Sequence, residues 1–131
     1  MKLRLVFTLA LMLAGPALAQ DSADGERLFV QHCAVCHGLS LRGDGPMAPI
    51  LLLPPPDLRQ IAQRFGGTFP RIGTAWMIDG RDIIMSHGGD MPIYGHIFEG
   101  QSEILRSQGG QTLLTSPQVL DLVTYLESVQ E

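Results

Sequence analysis

The chain has 131 residues, 45% of them hydrophobic and 17% charged, which is enough for one globular domain and leaves little room for a second. Nine basic residues stand against 13 acidic ones, a balance that argues against nucleic acid as a partner. Glycine (15) and proline (9) are frequent and aromatics make up only 6%, so long loops and a bulky non-protein group are expected to fill the interior.

From the N-terminus, Lys2 and Arg4, the apolar run from Leu5 to Leu13 and the small residues Ala17-Leu18-Ala19 have the layout of a secretory signal peptide. Cleavage is expected after Ala19, dividing the chain into a signal (1–19) and one domain (20–131). The apolar run is interrupted by Thr8, Gly15 and Pro16 and is too short for a comfortable membrane span. No cysteine stands at the cleavage point to take a lipid. A periplasmic protein without stable membrane insertion is therefore expected. Loss of Lys2 and Arg4 leaves seven basic against 13 acidic residues, a net charge of −6, and removes the only lysine.

Next comes a helix capped by Ser22 or Asp24, with Gly25, Leu28, Phe29 and His32 at i, i+3, i+4 and i+7. It runs up to the segment Cys33–Gly38. From Gly38 to Pro56 glycines and prolines, ending in Pro54-Pro55-Pro56, predict a loop. Asp57 opens a short second helix with Leu58, Ile61, Ala62 and Phe65 on one face and Gly66-Gly67 as its stop. Pro70 suits the start of a third helix carrying Ile72, Ala75, Trp76 and Met77 and ending at Gly80. Residues 81–110 read as turn-rich, with short helical pieces near Ile83 and Phe98. Ser116-Pro117 begins a final helix with an apolar stripe of Val119, Leu122, Val123, Leu126 and Val129. No period-two alternation is evident, so the fold class is all-α, short helices and long loops, with strand content near zero.

Cys33-Ala-Val-Cys36-His37 has the spacing of c-type haem attachment. Two thiols three residues apart can reach two vinyl groups on one haem edge, and the adjacent imidazole can turn under the iron. The competing readings are weaker. A thioredoxin-like pair needs a βαβ context, and a zinc site needs four ligands that the clustered His32, Cys33, Cys36 and His37 are too close in sequence to supply. A structural disulfide is the ordinary outcome for an isolated cysteine pair in an oxidising compartment.

The sixth iron ligand decides the chemistry, because a methionine sulfur closes the site and raises the potential, whereas an open position admits gas or peroxide. Met47, Met77, Met85 and Met91 remain after processing. Met77 sits at helical spacing among apolar neighbours and is expected in the core. Met91, followed by the rigid Pro92, is the favoured ligand; Met85, His87 and an open position are its rivals.

These features resemble the small class I c-type cytochromes, over roughly residues 24–129. The resemblance is carried by Cys33-Ala-Val-Cys36-His37-Gly38, the Gly43-Asp-Gly-Pro46 turn, Pro56-Asp57-Leu58, Met91-Pro92 and Leu122-Val-Thr-Tyr125-Leu126. It implies a single-domain cytochrome c fold around one covalent haem c, with Cys33 and Cys36 as attachment points and His37 and Met91 as axial iron ligands. It also implies that Gly25 and Phe29 meet Tyr125 where the first and last helices cross, and that the Pro46 carbonyl accepts the His37 Nδ1 proton. Trp76, Arg71 and Arg81 are candidates to hydrogen-bond the haem propionates. The missing lysines and the unusual stretch 54–80 prevent any partner from being carried over. The function expected is single-electron transfer between a redox protein donor and acceptor, without catalytic residues of its own. The alternative is a haem protein whose displaceable sixth ligand lets it bind gas or peroxide, with His87 or Asp90 assisting. A third reading, an interaction protein closed by a disulfide, needs no haem at all.

Overall fold

The computed structural model describes residues 22–82 and 91–131. The expected signal segment, the helical piece near Ile83, and Met85, His87 and Asp90 lie outside the described residues. Two helices form the frame. The first, α1 (Ser22–His32), places Asp24 in its first turn, favourable to the helix dipole, ends at His32, and buries Gly25 and Phe29 one turn apart. The last, α5 (Pro117–Ser128), starts as its sequence dictates: the Ser116 hydroxyl accepts from the Val119 amide at 3.3 Å and Pro117 occupies the first turn. Its buried stripe comprises Val119, Leu120, Leu122, Val123, Tyr125 and Leu126.

The two helices cross at Gly25, where any Cβ would strike the Asp121 carbonyl and the Tyr125 Cβ. Only glycine permits this approach, and one turn later Phe29 meets the Tyr125 ring at 5.6 Å between centroids. Between them, a single turn α2 (Ala34–His37) continues from α1, a 3-10 turn (Leu58–Gln60) leads into α3 (Ile61–Arg64), and α4 (Arg71–Asp79) follows Pro70. Asp57 caps the 3-10 turn by accepting from the Arg59 amide, and Gly80 ends α4 in the left-handed conformation with its amide on the Trp76 carbonyl. α4 packs Ala75 and Ile78 inward toward α5.

The fold is helix-rich, but the all-α expectation needs correction. Residues Glu103–Arg106 (β1) and Thr112–Thr115 (β2) form an antiparallel hairpin in which Leu105 pairs with Leu113. Its turn is held by Ser107, whose amide donates to the Gln111 carbonyl and whose hydroxyl accepts from the Gln111 amide, with Gly110 at positive φ. Each strand has four residues, too few to show a period-two pattern, and only Leu105 and Thr115 are buried. Leu105 reaches the same core as Phe29, Val119, Leu122 and Val123, all essentially inaccessible to solvent. The region near Phe98 is turn rather than helix, with Phe98 itself buried.

Candidate haem site

Cys33 and His37 are four residues apart on one helical turn, closed by the His37 amide donating to the Cys33 carbonyl at 2.9 Å. Helical spacing turns Cys33, Cys36 and His37 toward the same side, and all three line one cavity of about 630 Å³. That volume falls within the range of roughly 300–1,000 Å³ common for small-molecule and cofactor sites. A turn this short cannot hold itself, and the following loop supplies the missing donors. The amides of Met47, Gly45 and Gly43 donate in turn to the carbonyls of Val35, Cys36 and His37, at 3.0, 3.1 and 2.9 Å. A Cβ on Gly45 would collide with the Cys36 backbone, and one on Gly43 with the Pro55 carbonyl. Buried Leu41 sits at φ 61, a strained value for leucine, and its carbonyl receives the Leu58 amide at 2.8 Å.

This loop brings the three prolines back to the cavity that His37 lines. Burial pushes the His37 pKa down, and the Pro56 backbone opposes that shift as a hydrogen-bonding group acting on the ring. Nδ1 of His37 is buried and makes no hydrogen bond of ordinary geometry, so the Pro56 contact is a weak one. The expected acceptor, Pro46, is exposed and does not line the cavity; the loop turns at Pro46 and returns only at Pro54–Pro56. A neutral imidazole is the form that binds iron. Burial, with Cys36 alongside, pushes the Cys33 thiol up to about 12.

The rest of the lining comes from separate elements. Met91, Pro92 and Tyr94 line the cavity beside Met77, Trp76 and Ile78 of α4, while Leu122 and Leu126 of α5 line its inner end. Met77 was expected in the core; it is half-buried and borders the cavity together with Met91. Trp76 is on the rim, 41% exposed. Arg71 and Arg81 do not line the cavity, because carboxylates elsewhere capture them. Arg71 is paired with Glu127, and Arg81 with Asp79 while also donating to the Leu114 carbonyl. Among the described residues, Arg64 is the arginine on the cavity wall, its guanidinium donating to the Asp57 carbonyl at 2.9 Å. The sequence held a signal for it: Arg64 follows Ile61 by three, on the α3 face that also carries Phe65 to the cavity.

The donor set suits a flat apolar ring system with a metal at its centre and anionic groups at one edge. The walls are mainly apolar, a neutral imidazole and two thioethers border the interior, two thiols stand three residues apart, and an arginine and an indole lie toward the rim. No curated protein and no solved structure gave a match to the chain. A family model described as Cytochrome c matches residues 22–130, taking in the Cys33–His37 turn, the cavity and both framing helices. The chain therefore belongs to the cytochrome c family, and its cofactor is covalently bound haem c with iron.

Proposed function

We propose that the protein is an exported, periplasmic carrier of single electrons, with haem bound through thioethers at Cys33 and Cys36 and its iron between His37 and Met91. The observation that carries this reading is that His37 and Met91, 54 positions apart, border the same mainly apolar cavity from separate segments of the chain. The bound haem supplies a one-electron couple whose potential follows its axial ligands and burial. His37 offers a neutral imidazole, and the Pro56 backbone helps retain its other proton and so its basicity. Met91 offers a sulfur that favours the ferrous state, and Leu122, Leu126 and Ile78 exclude water. Trp76 keeps the propionate-binding role expected of it, and Arg64 takes the one expected of Arg71 and Arg81.

The partners are a redox donor and a redox acceptor that meet the uncharged stretch 45–56. Ile50 and Leu52, which lie outside the cavity lining, are 72 and 92% exposed there, and no ionisable side chain interrupts the stretch. Electron-transfer rates are accordingly expected to vary little with salt. No helix among the described residues is long and apolar enough to cross a membrane.

The test is spectroscopic. The haem-loaded protein should give a c-type pyridine spectrum and, when ferric, a sulfur-to-iron charge-transfer band. Met91→Ala should abolish that band, lower the potential and open the ferrous iron to carbon monoxide, while Met77→Ala keeps all three properties of the parent. A band lost in Met77→Ala and kept in Met91→Ala would transfer the ligand role to Met77. Rapid carbon monoxide binding by the parent protein without a sulfur band would favour a ligand-binding haem protein.

A further inference from the structure

The two residues of the Met91-Pro92 pair lead into three whose positions are each fixed. The Ile93 side chain covers Gly80, leaving no room for a Cβ there. The Tyr94 amide donates to the Ile78 carbonyl at 2.9 Å, and Gly95 lies so close to the Asp79 carbonyl that it too admits no Cβ. These contacts fasten the segment to the C-terminal end of α4. The Tyr94 side chain reaches the other way. Its hydroxyl donates to the His32 carbonyl at 2.8 Å, and its ring stacks on Phe98 at 5.4 Å with the His32 ring edge-on at 6.0 Å.

His32 ends α1 and directly precedes Cys33. Its carbonyl lies where the helix is interrupted: the Cys36 amide, which a regular α-helix would aim at the His32 carbonyl, donates to the Cys33 carbonyl instead. Tyr94 supplies the donor that the broken helix does not. The hydroxyl thus joins the turn that carries the attachment cysteines to the segment that carries Met91, across the cavity wall that Tyr94 itself forms.

We propose that Tyr94 is a positioning residue that holds Met91 at the iron by bonding the distal segment to the attachment turn, an inference that rests on Met91 being the ligand. Tyr94→Phe removes the oxygen and keeps the ring packing. The ferric, haem-loaded protein is titrated with imidazole, which competes with the sulfur for iron, and loss of the charge-transfer band is followed. Tyr94→Phe should retain the band without imidazole, yet bind imidazole about three- to tenfold more tightly, the scale of one neutral hydrogen bond.

Thr124→Val is the control. It deletes another hydroxyl-to-carbonyl bond, Thr124 to Leu120 at 2.9 Å on α5, and should leave imidazole affinity unchanged even where thermal stability falls. An unchanged affinity in Tyr94→Phe, or an equal gain in Thr124→Val, would overturn the proposal. If Met91→Ala keeps the band, the ligand assignment itself fails and the role of Tyr94 with it. If Met91→Ala loses the band while Tyr94→Phe binds imidazole as the parent does, only the role of Tyr94 fails.

Discussion

His37 and Met91 border one cavity, yet the chain fastens them by different means. On the His37 side, three consecutive carbonyls of α2 receive amides from Gly43, Gly45 and Met47, and the loop that supplies them is itself closed by the Leu58 amide on the Leu41 carbonyl. On the Met91 side, where Met91 itself packs against the core, the described hydrogen bonds are those of Tyr94 to the Ile78 and His32 carbonyls. The first arrangement fixes a side chain through backbone bonds to its own turn; in the second, the described residues that do so are the three that follow the Met91-Pro92 pair. In the reading proposed here, the imidazole is held by shared backbone bonds and the sulfur in part by one side-chain hydroxyl, that of Tyr94. Backbone hydrogen bonds shared among several residues must open together, whereas a single side-chain hydroxyl can be lost alone.

The sharpest way to break this comparison is to remove the thiols. In Cys33→Ser with Cys36→Ser, haem should be wholly extractable into acidified organic solvent, whereas Met91→Ala should retain it through the same treatment. Haem that stays with the doubly substituted protein would show that attachment does not run through these sulfurs. The next largest effect is expected at the clamp. Gly45→Val forces a branched side chain against the Cys36 backbone, which cannot yield without losing the Gly45-to-Cys36 hydrogen bond. A loss of about 1–3 kcal/mol in urea unfolding is expected, the usual cost of overpacking, together with poorer haem incorporation. Unfolding at the parent's urea midpoint would mean that the loop is not what braces α2.

Much of this contrast was legible in the sequence on one side only. The Cys33–His37 turn could be read directly because thiol and imidazole spacing within one helical turn is fixed by local geometry. The α1–α5 crossing came from the resemblance to the c-type cytochromes, which sets Gly25 and Phe29 against Tyr125, while periodicity marked only the apolar faces of the two helices. What depends on the path of a loop was not legible. Pro46 and Pro56 are both plausible neighbours of His37 until the chain between them is known to turn at Pro46 and return at Pro54–Pro56. Arg71 and Arg81 were drawn toward the propionates by charge alone, but Glu127 and Asp79 hold them elsewhere. The hairpin escaped notice because its only deeply buried strand residues are Leu105 and Thr115, and two positions make no pattern.

The smallest expected effect concerns the end of the clamp, where Asp57 follows Pro56. One carboxylate oxygen accepts from the Arg59 amide and Nε, each at 3.0 Å, and the other from Nη2 at 2.6 Å. The hydrogen bonds from Arg59, with its charge and that of Arg42 nearby, hold the Asp57 carboxyl below its usual range. Because the folded value lies below the unfolded one, the stabilisation is present above roughly pH 4 and is lost as the pH falls through the folded value. Asp57→Asn keeps a capping oxygen of comparable quality and removes only the charge. It should therefore melt slightly below the parent at pH 7, with the two melting temperatures converging as the pH is taken down from about 4. A difference that stays constant down that series would assign the loss to the cap geometry, and the ion pair with Arg59 would then contribute nothing to holding Pro56 near the imidazole.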